Sequence, residues 1–262
     1  MHAPSHPFAP WFRAGPDPRA ELRLMCVPYA GGGSSVFHAW HGLAGERVQV
    51  CAVHLPGRET RHGEPAVSDL AQAVAPLADA CERFLDRPYA LFGHSMGGLI
   101  AFELARTLRR RGQPAPVRLF ASAACAPHLI ARRPQLGHLD DTAFLDRLAD
   151  INDEAAQLTT RPELRELVLP MLRADVALIE TYRYTDEPPF EFPITALGGT
   201  EDAWVRLGEL AAWSSHTRGA FNLRMIPGGH LFVRTAGDKV VQVILETCAS
   251  GSSPDSSPPR SA

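Results

Sequence analysis

The chain has 262 residues, of which 45% are hydrophobic and 21% charged. That composition builds an ordinary globular core and excludes collagen-like, fibrous and wholly disordered classes. Its 26 basic and 29 acidic residues leave a net charge of -3, which gives no electrostatic footprint for nucleic acid and no polybasic membrane patch.

In chain order, residues 1–20 are proline-rich and aperiodic and read as a surface arm whose Phe8, Trp11 and Phe12 are able to pack on the body. Leu22–Val27 and Val48–Val53 are apolar runs of strand length. Leu70, Val74, Leu77, Cys81 and Phe84 recur with helical spacing, so the pattern predicts a helix over 70–85. A strand at Tyr89–Phe92 is followed by a helix from Met96 to Arg111, which Gly112 and Pro114 end. Val117–Ala121, Ile194–Leu197 and Leu223–Ile226 read as further strands, and Lys239–Cys248 as a closing helix. Strands and helices alternate, and the strands are apolar almost throughout. That predicts an α/β fold whose mostly parallel central sheet carries helices on both faces.

One stretch breaks the alternation. Between about 127 and 189 no strand is evident, while Phe144, Leu145, Leu148 and Ile151 share a helical face. Leu164, Leu167, Val168, Met171 and Leu172 share another, with Pro170 expected to kink that helix. A helical insertion in an α/β sheet has the form of a lid; the alternative is a purely structural subdomain. The domain reading is thus an arm over 1–20, one α/β domain over 21–248, and a Ser/Pro tail over 249–262 too polar to order itself. The five cysteines are scattered without a Cys-x-x-Cys pair, which argues against a disulfide framework or a zinc site. No run approaches the ~20 apolar residues of a membrane span, and the N-terminus lacks a signal pattern. A soluble, cytoplasmic protein is the resulting expectation, with a monomer as the default.

The chemistry centres on Gly93-His94-Ser95-Met96-Gly97-Gly98, between a strand and a helix. A Gly-x-Ser-x-Gly run in that context is a nucleophile elbow. A sharp turn lifts the serine oxygen clear of the sheet, and glycines two residues either side leave room for it. Ser95 needs a base. His230, in Pro227-Gly228-Gly229-His230, follows the last strand and lies at the same sheet edge. His38, His41, His54 and His62 precede the serine, against the Ser–acid–His order of such hydrolases. His94 is locked in the elbow, His128 and His138 fall in the insertion, and His216 lies in a polar loop. The acid that orients the imidazole is Asp202, with Glu201 beside it as the alternative. The loop after the preceding strand, Ala121–Pro127, holds no carboxylate. Backbone N–H groups for a developing oxyanion come from Met96 and, in the loop Pro28-Tyr29-Ala30-Gly31-Gly32-Gly33, from Ala30. That glycine run lacks the Lys-Ser/Thr ending of a phosphate cradle.

With these pieces assembled, the chain resembles the type II thioesterases, the stand-alone editing α/β-hydrolases of polyketide and non-ribosomal peptide synthesis. The resemblance rests on Pro28-Tyr29-Ala30-Gly31-Gly32, Leu55-Pro56-Gly57-Arg58-Glu59, the elbow, Leu172-Arg173-Ala174-Asp175, Gly198-Gly199 with Asp202, and Pro227–His230. It implies an α/β-hydrolase fold with a helical lid. It also implies a serine thioesterase that clears acyl groups from the phosphopantetheine arm of acyl or peptidyl carrier proteins, with no cofactor or metal. Carrier proteins are acidic, so Arg58 and Arg61 are candidate contacts, although Arg58 could equally pair internally to fix its loop. A product-releasing thioesterase or carboxylester hydrolase is the alternative function, and a non-catalytic scaffold a more distant one.

Overall fold

Six apolar runs become six strands: β1 (Leu22–Val27), β2 (Val48–Ala52), β3 (Tyr89–His94), β4 (Arg118–Ser122), β5 (Ile194–Gly199) and β6 (Phe221–Ile226). The computed structural model describes residues 11–151, 158 and 160–250. The strands form one sheet in the order β2-β1-β3-β4-β5-β6, with every neighbouring pair parallel. Strand ends differ slightly from the expectation: β6 begins at Phe221, and β3 continues through His94.

Why the inner strands are largely apolar is visible in their alternation. Met25, Val27, Leu91, Leu119 and Ala121 point into one core. Leu24, Cys26, Ala90, Phe92 and Phe120 point into the other. Side chains on a strand face opposite sides with period two, so strands covered on both faces are buried along their length, whereas the edge strand β6 keeps Arg224 and Met225 exposed. The first core is closed by α1 (Leu70–Cys81) and α2 (Met96–Arg110). The second is closed by α5 (Gly237–Ser250) and the aromatic pair Phe37 and Trp40. Asp69 caps α1 by accepting from the N–H groups of Ala71 and Gln72. The helix expected over 70–85 is α-helical to Cys81 and tightens into a 3₁₀ turn at Glu82–Phe84.

The insertion contributes α3 (Asp141–Ala149) and α4 (Pro162–Glu180). It has a small core of its own, in which Leu136, Phe144, Leu145, Leu148, Leu172 and Val176 meet. Residues 152–157 and 159 of the expected lid lie outside the described residues, as do Phe8 and most of the expected tail. One expectation for α4 needs correction. Of the second expected face, Met171 and Leu172 are buried and Val168 packs against them, whereas Leu164 and Leu167, at its edge, are 40% and 71% exposed. Periodicity marks a face but not whether anything packs on it. Pro170 lies inside the helix Pro162–Glu180, as its place in the sequence led one to expect. The arm is more than a surface strap: Trp11 and Phe12 are buried members of the first core. Among the described residues no helix is long and apolar enough to cross a membrane.

Candidate active site

Every expected site residue follows the C-terminal end of a parallel strand, where open α/β sheets place their ligands. Tyr29–Gly33 follow β1, Ser95 follows β3, Asp202 follows β5 and His230 follows β6. The elbow depends on glycine for space. A Cβ on Gly93 would lie 2.0 Å from the Gly97 carbonyl oxygen, and one on Gly97 would lie 2.2 Å from that of Val27. Ser95 itself has φ 54° and ψ -117°, a strained conformation for a residue with a side chain. The surrounding backbone enforces it: Ser95 N–H donates to the Ser122 carbonyl at 2.7 Å. Met96 then opens α2, so its N–H belongs to the positive end of a 15-residue helix.

The three expected side chains meet. His230 Nε2 lies 2.9 Å from Ser95 Oγ, and His230 Nδ1 lies 2.9 Å from Asp202 Oδ2. The carboxylate can only accept, so Nδ1 carries the proton and Nε2 is left to accept from the serine hydroxyl. Asp202 Oδ1 accepts from the N–H groups of Trp204 (2.8 Å) and Val205 (3.1 Å). Burial pushes the Asp202 carboxyl up, but the His230 bond and those two amides outweigh it and hold it below the usual carboxylate range. The acid is therefore charged and fixed in orientation. The alternative, Glu201, is exposed, and its backbone N–H donates to the Gly228 carbonyl in the His230 loop.

Ala30 lines a cavity of about 40 Å³ together with Ser95, His230, Leu148, Leu172 and Val176. In the same loop, Gly31 N–H donates to Asp175 Oδ2 (2.7 Å) and Gly32 N–H to the Tyr29 carbonyl (2.9 Å). A second cavity of about 60 Å³ opens on Ser95 and Met96 and is bordered by Cys125, Arg133 and Trp204.

The two arginines do not lie where carrier contacts would. Arg58 and Arg61 are each only 7% exposed. Arg58 forms a two-pronged ion pair with Asp175, at 2.6 and 2.8 Å, and reaches the Gly32 carbonyl. Arg61 binds the His54 carbonyl and Glu64 and lies over the Trp11 ring. Their charges are spent inside the protein, so the expected surface role is withdrawn for both.

Residues 22–250 match the thioesterase domain family. The chain belongs to that family. The thioesterase is 39% identical over 237 residues to the gramicidin S biosynthesis protein GrsT of Aneurinibacillus migulanus, covering 90% of this chain and 93% of that protein. Among solved structures, RedJ, the thioesterase of the prodiginine pathway in Streptomyces coelicolor, superposes with a TM-score of 0.81 at 39% identity. That match covers 90% of this chain and 89% of RedJ. YbtT, a type II thioesterase of the yersiniabactin pathway, gives a TM-score of 0.81 at 32% identity, covering 92% and 98%. The fold is that of the α/β-hydrolases, and the thioesterase is a serine hydrolase whose relatives serve non-ribosomal peptide and polyketide pathways.

Two supporting residues escaped the sequence reading. His94 is fully buried, and burial lowers its ring to about 3, so it stays neutral. Its Nε2 lies 2.8 Å from the His230 carbonyl, an acceptor, so Nε2–H donates and Nδ1 accepts from Ser122 Oγ at 2.9 Å. His94 thus holds the base's loop from beneath. Asp175 is the other, and its only sequence signal was its place in the Leu-Arg-Ala-Asp run.

Proposed function

We propose that this thioesterase hydrolyses acyl groups from the phosphopantetheine thiol of carrier proteins and thereby clears stalled or wrong units from a synthase. The Ser95–His230–Asp202 chain of hydrogen bonds, at 2.9 Å per link, carries the reading. Likeness to GrsT and to the type II thioesterase YbtT supports the choice of pathway.

In the proposed sequence, Ser95 Oγ gives its proton to His230 Nε2 as it attacks the thioester carbonyl. The charge that develops on the carbonyl oxygen is met by the N–H groups of Met96 and Ala30, each such donor being worth about 3 kcal/mol. His230 then protonates the leaving thiolate, and the acyl group remains on Ser95 as an ester. Water loses a proton to His230 and attacks that ester, which releases the acid and restores the serine. Asp202 stays charged throughout and stabilises the imidazolium. Every proton is carried by these side chains, so the scheme requires neither metal nor cofactor. The helical insertion acts as a lid in this reading, because Leu148 from α3 and Leu172 and Val176 from α4 wall the cavity at Ser95.

A panel of acylated carrier proteins, assayed beside simple oxygen esters of the same acids, tests the proposal. Faster turnover of the carrier thioesters supports it. Faster turnover of the oxygen esters would reassign the chain to carboxylester hydrolysis.

A further inference from the structure

The loop that offers Ala30 is held from outside by residues with no place in the Ser–His–Asp chain. Asp175 lies on α4, 117 positions from Arg58, and the side chains of Arg58 and Asp175 are 6% and 2% exposed. Asp175 Oδ2 accepts both from Arg58 Nη1 and from the backbone N–H of Gly31, the residue after Ala30. Arg58 Nη1 also donates to the Gly32 carbonyl at 3.1 Å. The ion pair therefore grips the loop on an N–H and on a C=O in consecutive residues. Next to it, Glu59 accepts from Ser34 N–H, Ser34 Oγ and Ser35 N–H. Its carboxyl carbon lies 2.3 Å from where a Gly33 Cβ would be, so a side chain there would have to displace that carboxylate. From the other side, Leu172, one turn before Asp175, covers Gly31. At φ +82° any side chain would be strained, and a built Cβ would lie 2.6 Å from Leu172 Cδ2, so glycine suits the position.

Burying two charges is expensive, and such pairs add little net stability. In some proteins a buried polar or ionic group instead fixes register, and here the pair's bonds to Gly31 and Gly32 point the same way. We propose that Arg58 and Asp175 are positioning residues: they set the Ala30 N–H at the oxyanion and tie its placement to helix α4. The inference rests on the serine-hydrolase reading of the site. Preorganised donors matter because they are aimed before charge develops, and losing one costs about 10²–10³ in kcat.

The test uses Asp175→Asn, the charge-free double variant Arg58→Met with Asp175→Leu, and Arg58→Lys, which keeps the charge but loses the fork. For each, kcat and KM on a short acyl thioester, the pH profile of kcat, the Tm and the affinity for an alkyl boronic acid are measured. The boronic acid forms a tetrahedral adduct on Ser95. Expected for Asp175→Asn and the double variant is a fall of about 10²-fold in kcat, with KM within threefold and an unshifted pH profile. Boronic acid affinity should fall in parallel, and Arg58→Lys should be intermediate. Folded variants with kcat and boronic acid affinity within twofold of the parent would overturn the proposal. So would failure of all three variants to fold, which would assign the pair to stability. If the unmutated enzyme bound the boronic acid yet cleaved no acyl thioester, the thioesterase reading would fail while the positioning of the loop could still be read from the boronic acid alone.

Discussion

His94 and His230 are joined ring to backbone: the Nε2–H of the first donates to the carbonyl of the second at 2.8 Å. The residue before the nucleophile thus carries the loop of the base. Replacing His94 by Ala leaves the His230 carbonyl and the Ser122 hydroxyl without this partner, and each orphaned group costs about 1–3 kcal/mol. The emptied volume adds to that. At about 2–4 °C per kcal/mol for a domain of this size, His94→Ala should lower the Tm by roughly 10 °C. It should also reduce kcat by about tenfold as His230 loses its support. Calorimetry and steady-state rates check both, and an unchanged Tm would contradict the bond's importance.

Asp202→Asn should be the most damaging conservative change outside Ser95 itself. The amide would offer its NH₂ to Nδ1 and favour the wrong tautomer. Serine proteases lose about 10⁴-fold in kcat by the corresponding change, and a loss of that order is expected here. Ser95→Ala should abolish turnover. Glu201→Gln, at an exposed side chain, should stay within twofold. If Glu201→Gln were the crippling change, the acid would have been taken one residue too late.

Acid should destabilise the fold before it reaches ordinary carboxylates. Burial lowers His94 to about 3 and, with His128 and Arg106 nearby, His216 to about 4. In the unfolded chain both rings take up protons near about 6.5. The stability linked to these neutral rings is complete above that value and is lost as pH falls toward 4, at up to about 1.4 kcal/mol per pH unit for each ring. Tm measured from pH 7 to 4.5 should therefore decline steadily, and His216→Gln should flatten the slope. A Tm independent of pH across that window would refute the assignment.

Substrate size should be set by the wall that the insertion presents. The cavity beside Ala30 and Ser95 measures about 40 Å³, far below the roughly 300–1,000 Å³ that encloses a drug-sized ligand. Propionyl thioesters should react faster than octanoyl ones. Leu148→Ala cuts that wall back and should raise the octanoyl-to-propionyl rate ratio at least tenfold. It should cost about 2–5 kcal/mol of stability, because Leu148 is buried in the insertion's core. Rate ratios on matched thioesters decide it.

Local chemistry made much of this site legible. Ser95 stands out because an elbow needs glycine at both flanks, and that requirement is written within six residues. His230 and Asp202 follow because parallel strands deliver their C-terminal loops to one edge, so chain order and strand ends suffice. Arg58 shows the limit. A charge in a loop looks solvated until its partner is known, and that partner is on a helix 117 positions away. Leu167 shows the converse. Its helical spacing is that of a buried face, yet nothing among the described residues packs over it, and it remains 71% exposed. Spacing reports local conformation, whereas burial is decided by what arrives from elsewhere in the chain.

The Trp11–Phe12 segment has a practical consequence. The Trp11 carbonyl accepts from His54 N–H, its ring lies beneath Arg61, and Phe12 packs on Phe84. A version trimmed to begin at the first strand would uncover an aromatic seat and the face of a buried guanidinium. It would be expected to come out of expression sticky and poorly soluble, despite keeping Ser95, Asp202 and His230.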